Sequence, residues 1–151
     1  MPVYDRDATE LYPIKKIYDR DATDKYLIYN AEESHTLTYS RTQDGTWGYN
    51  EIQNSGGFYY VQFTDFIRGT SYGKTLTRVE IVRNGAVVQT LADVYAEWNG
   101  TDYSMGGTNL PLETEIAIQP DDCIRLSMCA SYNPYISGQH TSQASVSFTF
   151  Y

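Results

Sequence analysis

From residue 34 onward, apolar and polar side chains alternate in short runs. His35-Thr36-Leu37-Thr38-Tyr39-Ser40, Phe58-Tyr59-Tyr60-Val61-Gln62-Phe63, Leu76-Thr77-Arg78-Val79-Glu80-Ile81-Val82 and Glu115-Ile116-Ala117-Ile118 each carry this pattern. It has the period of a strand with one face in a core and the other toward water. Ile124-Arg125-Leu126-Ser127-Met128 and Val146-Ser147-Phe148-Thr149-Phe150-Tyr151 repeat it. The runs are separated by turn-forming groups: Gln43-Asp44-Gly45, Asn54-Ser55-Gly56-Gly57, Arg83-Asn84-Gly85, Trp98-Asn99-Gly100, Met105-Gly106-Gly107 and Gln119-Pro120-Asp121. Arg83-Asn84-Gly85-Ala86 is the sharpest, because Asn-Gly supplies the two positive-φ residues of a tight hairpin. No segment sustains a helical period. The pattern predicts an all-β, antiparallel sandwich with about eight to ten strands.

The last run alternates to the final residue, with Val146, Phe148 and Phe150 on one face and Ser147, Thr149 and Tyr151 on the other. Chain ends normally fray. This one is predicted to be held in the centre of a sheet or at a subunit contact.

Residues 1–33 follow another rule. Val3-Tyr4-Asp5-Arg6-Asp7-Ala8-Thr9 returns almost unchanged as Ile17-Tyr18-Asp19-Arg20-Asp21-Ala22-Thr23, fourteen residues later, and a worn third copy begins at Ile28-Tyr29-Asn30. Each copy is an apolar-aromatic pair followed by Asp and polar residues, the pattern of a short extended rung ending in an Asx-type turn. Units this small bury no core alone, so the segment is expected to pack against a neighbouring chain, the following domain or a larger assembly. The acids Asp5, Asp7, Asp19, Asp21 and Asp24 do not form a calcium loop: Arg6 and Arg20 stand between them and no glycine follows.

Charge and composition narrow the function classes. The 151 residues include 19 acidic and 11 basic side chains, net −8, which argues against a nucleic-acid partner. No run approaches the roughly 20 apolar residues of a membrane span, so no membrane insertion is expected. The opening Met1-Pro2-Val3-Tyr4-Asp5-Arg6-Asp7 is charged where a signal peptide needs an apolar stretch. Cys123 and Cys129 stand six apart in one extended run, roughly 20 Å of strand, so they are read as free thiols. Fifteen tyrosines and 11 glycines against 5 Phe and 2 Trp suit half-buried strand faces and contact surfaces.

The chemistry available is sparse. His35 and His140 are the two histidines, and no Gly-x-Ser-x-Gly elbow accompanies them, so no enzyme activity is expected. Neither a cofactor nor a metal centre is expected, since the cysteines form no Cys-x-x-Cys pair. Asp121-Asp122 reads as a turn with Pro120 at its first central position rather than as a cation site. Aromatic side chains in or beside Gly/Asn-rich connections are better candidates, because such rings stack on sugar faces and anchor interfaces. Trp98, Tyr103, Tyr132 and Tyr135 are the ligand-binding candidates. Trp47 and Tyr49 alternate like strand residues and are read equally as core or subunit contacts.

Over residues 55–151 the order of features resembles the trimeric jelly roll of the complement subcomponent q globular heads and the tumour necrosis factor superfamily. Gly57-Phe58-Tyr59-Tyr60-Val61 is similar to that family's aromatic strand entry, and Val79-Glu80-Ile81-Val82-Arg83-Asn84-Gly85-Ala86-Val87-Val88 to its strand, Asn-Gly turn and returning strand. Glu115-Ile116-Ala117-Ile118-Gln119-Pro120-Asp121-Asp122-Cys123-Ile124-Arg125-Leu126 resembles its strand, Gly-Asp turn and strand, with Asp121 in place of the glycine. Ser145-Val146-Ser147-Phe148-Thr149-Phe150 resembles its closing strand, without the family's usual glycine there. The resemblance implies a homotrimer.

The amino-terminal copies resemble the aromatic-Tyr-Asp repeats of phage tail, baseplate and fibre proteins, with Ala8 and Ala22 where those carry glycine. Together the two resemblances imply a bacteriophage virion protein, folded in the host cytoplasm. Its residues 1–33 would dock on other virion proteins through Val3, Tyr4, Asp5, Ile17, Tyr18, Asp19, Ile28 and Tyr29, and its residues 34–151 would form a jelly-roll knob or decoration that can also meet a host cell-surface glycan. The alternative is a stand-alone carbohydrate- or protein-binding module, which has no need of residues 1–33.

Overall fold

A computed structural model describes residues 16–18, 27–30, 32–131 and 140–151, and among these every regular element is a strand. β1 (Lys16–Tyr18) and β2 (Leu27–Asn30) form a small antiparallel sheet of their own, in which Ile17 pairs with Tyr29. The second repeat copy is therefore hydrogen-bonded to the third. Val3, Tyr4, Asp5 and Asp19 lie outside the described residues.

Nine strands build the sandwich: β3 (Glu33–Thr42), β4 (Trp47–Gln53), β5 (Tyr60–Ile67), β6 (Lys74–Arg83), β7 (Ala86–Trp98), β8 (Tyr103–Thr108), β9 (Glu115–Ala117), β10 (Cys123–Ser131) and β11 (Thr141–Phe150). They form a five-stranded sheet of order β4-β10-β6-β7-β8 and a four-stranded sheet of order β3-β11-β5-β9, both antiparallel. The pairings β3·β11, β4·β10, β5·β9 and β6·β7 match the first half of the domain to the second in reverse order. The chain is thus one long antiparallel ribbon, folded back at the β6–β7 hairpin and wound into two layers, which is the jelly roll. β8 is an addition at the edge beyond β7.

The alternation places the core between the layers. Ile124, Leu126 and Met128 of β10 and Val79 and Ile81 of β6 face Val61 and Phe63 of β5 and Val146, Phe148 and Phe150 of β11, all essentially buried. Each buried phenylalanine contributes roughly 2–3 kcal/mol through area removed from water. β11 lies between β3 and β5, so the last run sits inside a sheet, as its alternation predicts. Tyr151 continues that anchoring: its N–H donates to Tyr60 O at 3.0 Å and its hydroxyl to Glu115 Oε2 at 2.8 Å.

The turns follow local chemistry. Asn84 and Gly85 adopt φ of 52° and 79° in the two-residue β6–β7 loop, the mirror-image turn whose twist suits a hairpin. At Gln119-Pro120-Asp121-Asp122 the Asp122 N–H donates to Gln119 O at 3.1 Å, and Asp121 has φ of 69°. Pro120 then occupies the first central position and Asp121 the second, which prefers glycine. Met105-Gly106-Gly107, expected as a separator, instead lies within β8. A Cβ on Gly106 would meet the Tyr95 ring at about the distance of its 2.8 Å approach to the hydroxyl, and one on Gly107 would come 2.2 Å from Asp93 O. Close approach of β7, not a turn, accounts for these glycines.

Where the ribbon crosses between layers, a buried amide ties the crossings together. Asn54, fully buried after β4, donates through Nδ2 to Phe58 O at 2.7 Å and Gln119 O at 3.0 Å, and accepts the Phe58 N–H at 2.9 Å. Its backbone N–H donates to Asp122 O at 2.7 Å. The β4–β5 and β9–β10 connections are thereby held against each other.

Candidate functional site

Among the described residues, three surfaces present chemistry to solvent. The first lies at the end of the sandwich where β7 turns into β8. Trp98 closes β7 and pairs in register with Tyr103, the first residue of β8, with ring centroids 5.0 Å apart. Tyr72, from the β5–β6 connection, meets Trp98 edge-on at 5.6 Å and His140 at 4.8 Å. Two of the four predicted ligand-binding residues, Trp98 and Tyr103, are thus brought together, and Tyr132 and Tyr135 lie outside the described residues. Tyr72 and His140 complete the row, and nothing in the local sequence around Tyr72 signals that partnership.

This row is held by buried polar groups. Gln43 donates to Ser71 Oγ at 3.1 Å and accepts the His140 N–H at 3.2 Å, while Ser71 and Thr75 share a hydroxyl contact of 3.0 Å. Arg68 braces the other side, donating to Tyr95 O, Gly106 O and Asn109 Oδ1 at 3.2, 3.3 and 2.7 Å. The buried Gln43, Ser71 and Thr75 bonds fix the geometry of what they support, while the buried His140 Nε2 has no hydrogen-bond partner among the described residues. β8 overhangs at the sheet edge, and Met105, on the same face as Trp98 and Tyr103, is 51% exposed. The row of rings with an adjacent thioether is a surface for stacking and apolar contact.

The second surface is the outer face of the five-stranded sheet. Trp47 and Tyr49 are neither core nor edge-covered: they are 42% and 53% exposed. The Arg78 guanidinium lies 4.3 Å from the Trp47 ring centre and that of Arg125 lies 3.9 Å from the Tyr49 ring centre. Each arginine also has an acid, Asp93 at 3.2 Å for Arg78 and Glu51 at 2.9 Å for Arg125. Between them, the Ser127 hydroxyl donates to buried Glu80 at 2.7 Å. Cys123 and Cys129, both free as expected, lie on this face of β10.

The third surface is the outer face of the four-stranded sheet, where hydroxyls line β3 and β11 and the stacked rings of Tyr60 and Tyr151, 5.9 Å apart, stand at one end. Ser34 pairs with Thr149 at 2.9 Å and Thr36 with Ser147 at 3.0 Å across β3 and β11. A shallow hollow of about 340 Å³ beside them is lined by Ser34, Thr36, Thr64, Ser147 and Thr149 among others. It offers hydroxyl groups together with the His35 and Phe148 side chains.

The acidic pair has a structural occupation. Asp122 is buried and takes a two-pronged bond from Arg83, 2.8 Å to Oδ1 and 2.9 Å to Oδ2, plus the Gln119 N–H at 2.8 Å. Burial pushes its carboxyl up, but the Arg83 and Gln119 bonds and the Arg83 charge outweigh that and hold it below the usual range. Among the described residues, no three His, Cys, Asp or Glu side chains gather as a metal site.

No family model and no curated protein matches the chain. Solved structures that align with it include one of infectious bursal disease virus, Gt strain, at 14% identity and TM-score 0.42, covering 99% of this chain and 41% of that one. Another is of T=1 particles derived from infectious bursal disease virus, at 15% identity and TM-score 0.40, covering 100% of this chain and 36% of that one. The chain spans about two fifths of the length of these solved chains.

Proposed function

We propose that this protein is a virion structural protein of a bacteriophage. Residues 34–151 form a surface knob or decoration, and residues 1–33 dock it on other particle proteins through Val3, Tyr4, Asp5, Ile17, Tyr18, Asp19, Ile28 and Tyr29. The observation that carries the reading is the division of labour along the chain. Among the described residues the core draws on Leu37 to Phe150, and the Tyr-Asp repeats, units too short to bury a core of their own, stand ahead of it in the sequence. Short strands such as β1 and β2 make a sheet that is marginal alone, and adding strands to a partner would complete it. Three copies, as the jelly-roll resemblance implies, would multiply the affinity of each tail. The protein would fold in the host cytoplasm, without catalysis or a bound cofactor.

The test has two parts. Light scattering on the full-length chain at low micromolar concentration should give three times 17.2 kDa, whereas a clean monomer overturns the trimer. Incorporation into particles should require residues 1–33. A 34–151 truncation that enters particles as well as the full chain overturns the docking role.

The row Tyr72, Trp98, Tyr103 and His140 favours a second reading, a carbohydrate- or protein-binding module, which also serves host attachment by a virion knob. Alanine at Tyr72 or Trp98 should then abolish glycan binding without lowering the melting temperature. Unchanged binding in both removes that reading.

A further inference from the structure

The outer face of the five-stranded sheet has no part in the proposed docking through residues 1–33 or in the aromatic row, and it is built unlike an ordinary solvated sheet face. Arg78 reaches from β6 and Trp47 from β4 to meet over β10, which lies between those strands and carries the small side chains Ser127 and Cys129 there. Arg125 does the same toward Tyr49 from β10 itself. The Arg125 side chain is only 15% exposed while Tyr49 is 53% exposed. The guanidinium therefore lies beneath the ring, and the ring turns its other side to water. Each arginine is additionally fixed by Asp93 or Glu51. Trp, Tyr and Arg are the residues that dominate protein interfaces, and the Arg125, Glu51 and Tyr49 group is ordered beforehand by its hydrogen bond and ring contact, so less side-chain entropy remains to be lost there on contact.

Charge selects the occupant. Residues 32–151 carry 13 acidic and 6 basic side chains, net −7. The outer face holds Lys74, Arg78 and Arg125 against Glu51, Glu80, Asp93 and Glu97, a net of about −1 by formal charge, leaving about −6 on the remaining surface. Lys74 stands opposite Glu97 in register, and both arginines are paired. With its charges largely paired and a net of about −1, this face lets two copies of an acidic molecule approach with little net repulsion.

Area permits it as well. Five strands about 4.8 Å apart and about seven residues long at 3.4 Å each give roughly 600 Å² per copy, about 1,200 Å² in total, above the roughly 1,000 Å² that a specific contact needs and at the low end of its range.

We propose that a second copy of this chain covers this face, in a two-fold, sheet-to-sheet contact anchored by Trp47 and Tyr49. A two-fold contact is self-complementary, so it doubles a monomer, and it doubles a trimer when the three faces of one trimer meet the three of another in dihedral symmetry. The small area makes the doubling reversible and concentration-dependent.

Sedimentation equilibrium of the full chain over about 1 µM to 1 mM tests this. The mass should double across the series, and Trp47→Ala/Tyr49→Ala should raise the midpoint at least about tenfold while leaving the lower unit intact. In a Trp98→Phe background, Trp47 is the sole tryptophan, and its emission should shift to the blue over the same concentrations. Should the double variant fail to fold, Lys74→Glu at the exposed rim serves. It adds like charge to both faces and should weaken the doubling several-fold at low salt, with recovery near 1 M salt. A mass that never doubles overturns the proposal, as does a doubling that neither variant alters. Failure of the trimer changes the size of the lower unit only, and so is distinguishable.

Discussion

Replacing Asn54 by alanine removes three side-chain hydrogen bonds from a fully buried position: the two that Nδ2 donates to Phe58 O and Gln119 O, and the one that Oδ1 accepts from Phe58 N. A hydrogen bond is worth about 1 kcal/mol net, and a buried group left unsatisfied costs about 1–3 kcal/mol. Phe58 is buried, so its N–H and carbonyl lose the Asn54 side chain as partner where water is excluded, whereas Gln119 is exposed and its carbonyl regains water. The sum is about 3–5 kcal/mol for Asn54→Ala. At about 4 °C per kcal/mol for a domain of this size, the melting temperature should fall by about 12–20 °C. Urea unfolding followed by far-ultraviolet circular dichroism measures the difference, with an unchanged slope if the end states are the same. Asn54→Asp separates hydrogen bonding from shape: it keeps the volume and the acceptor for Phe58 N but points a carboxylate at two carbonyl oxygens, and at pH 7 it should cost at least as much as alanine. A loss below about 1 kcal/mol for Asn54→Ala, or near-native stability of Asn54→Asp, would refute the claim that this amide ties the two crossings together.

The remaining predictions concern turns, pH and the last strand. Asp121→Gly should raise stability by about 0.5–1 kcal/mol in the same urea assay, because it relieves a left-handed residue at the second central turn position. The lowered Asp122 carboxyl contributes stability that is present above the ordinary carboxylate range and lost as pH falls through its folded value. Asp122→Asn should therefore lower stability at pH 7 and flatten the acid limb of the stability curve, and an acid limb identical to the parent's would contradict this. Burial, with help from the hydrogen bond to Glu115, pushes the Tyr151 hydroxyl up to about 12, so its contribution is complete below about pH 10 and lost toward pH 12. Tyr151→Phe should remove that part of the alkaline decline, read as the difference between the two melting curves. Deleting residues 146–151 removes the central strand's Phe148 and Phe150 from the core and should abolish folding, whereas a native-like circular dichroism spectrum from the truncation would show that β11 is dispensable.

Local physics made much of the fold legible. Period-two alternation, as in Val146, Phe148 and Phe150, reports burial on one face regardless of what lies opposite. Asn84-Gly85 and Pro120-Asp121 specify their turns through φ alone, and the spacing of Cys123 and Cys129 along one strand excludes their pairing. Gly106 and Gly107 show the limit: glycine in a turn and glycine under a neighbouring strand look alike in sequence, and only the approach of Tyr95 and Asp93 distinguishes them.

The surfaces were less legible, because they depend on which strands lie side by side. Trp98 and Tyr103 are close in sequence and were candidates together, but Tyr72 and His140 join them from connections far along the chain. The outward direction of Trp47 and Tyr49, with arginines from β6 and β10 beneath them, follows from a register set by β10 lying between β4 and β6. Sequence by itself determined the class of fold, the Asn84-Gly85 and Pro120-Asp121 turns, the free thiols and the acidic charge, since each arises within a few residues or from composition. Tertiary structure alone decided the neighbours, because pairing across a jelly roll joins residues distant in the chain, and a side chain's chemistry at a surface depends on what its neighbours leave exposed.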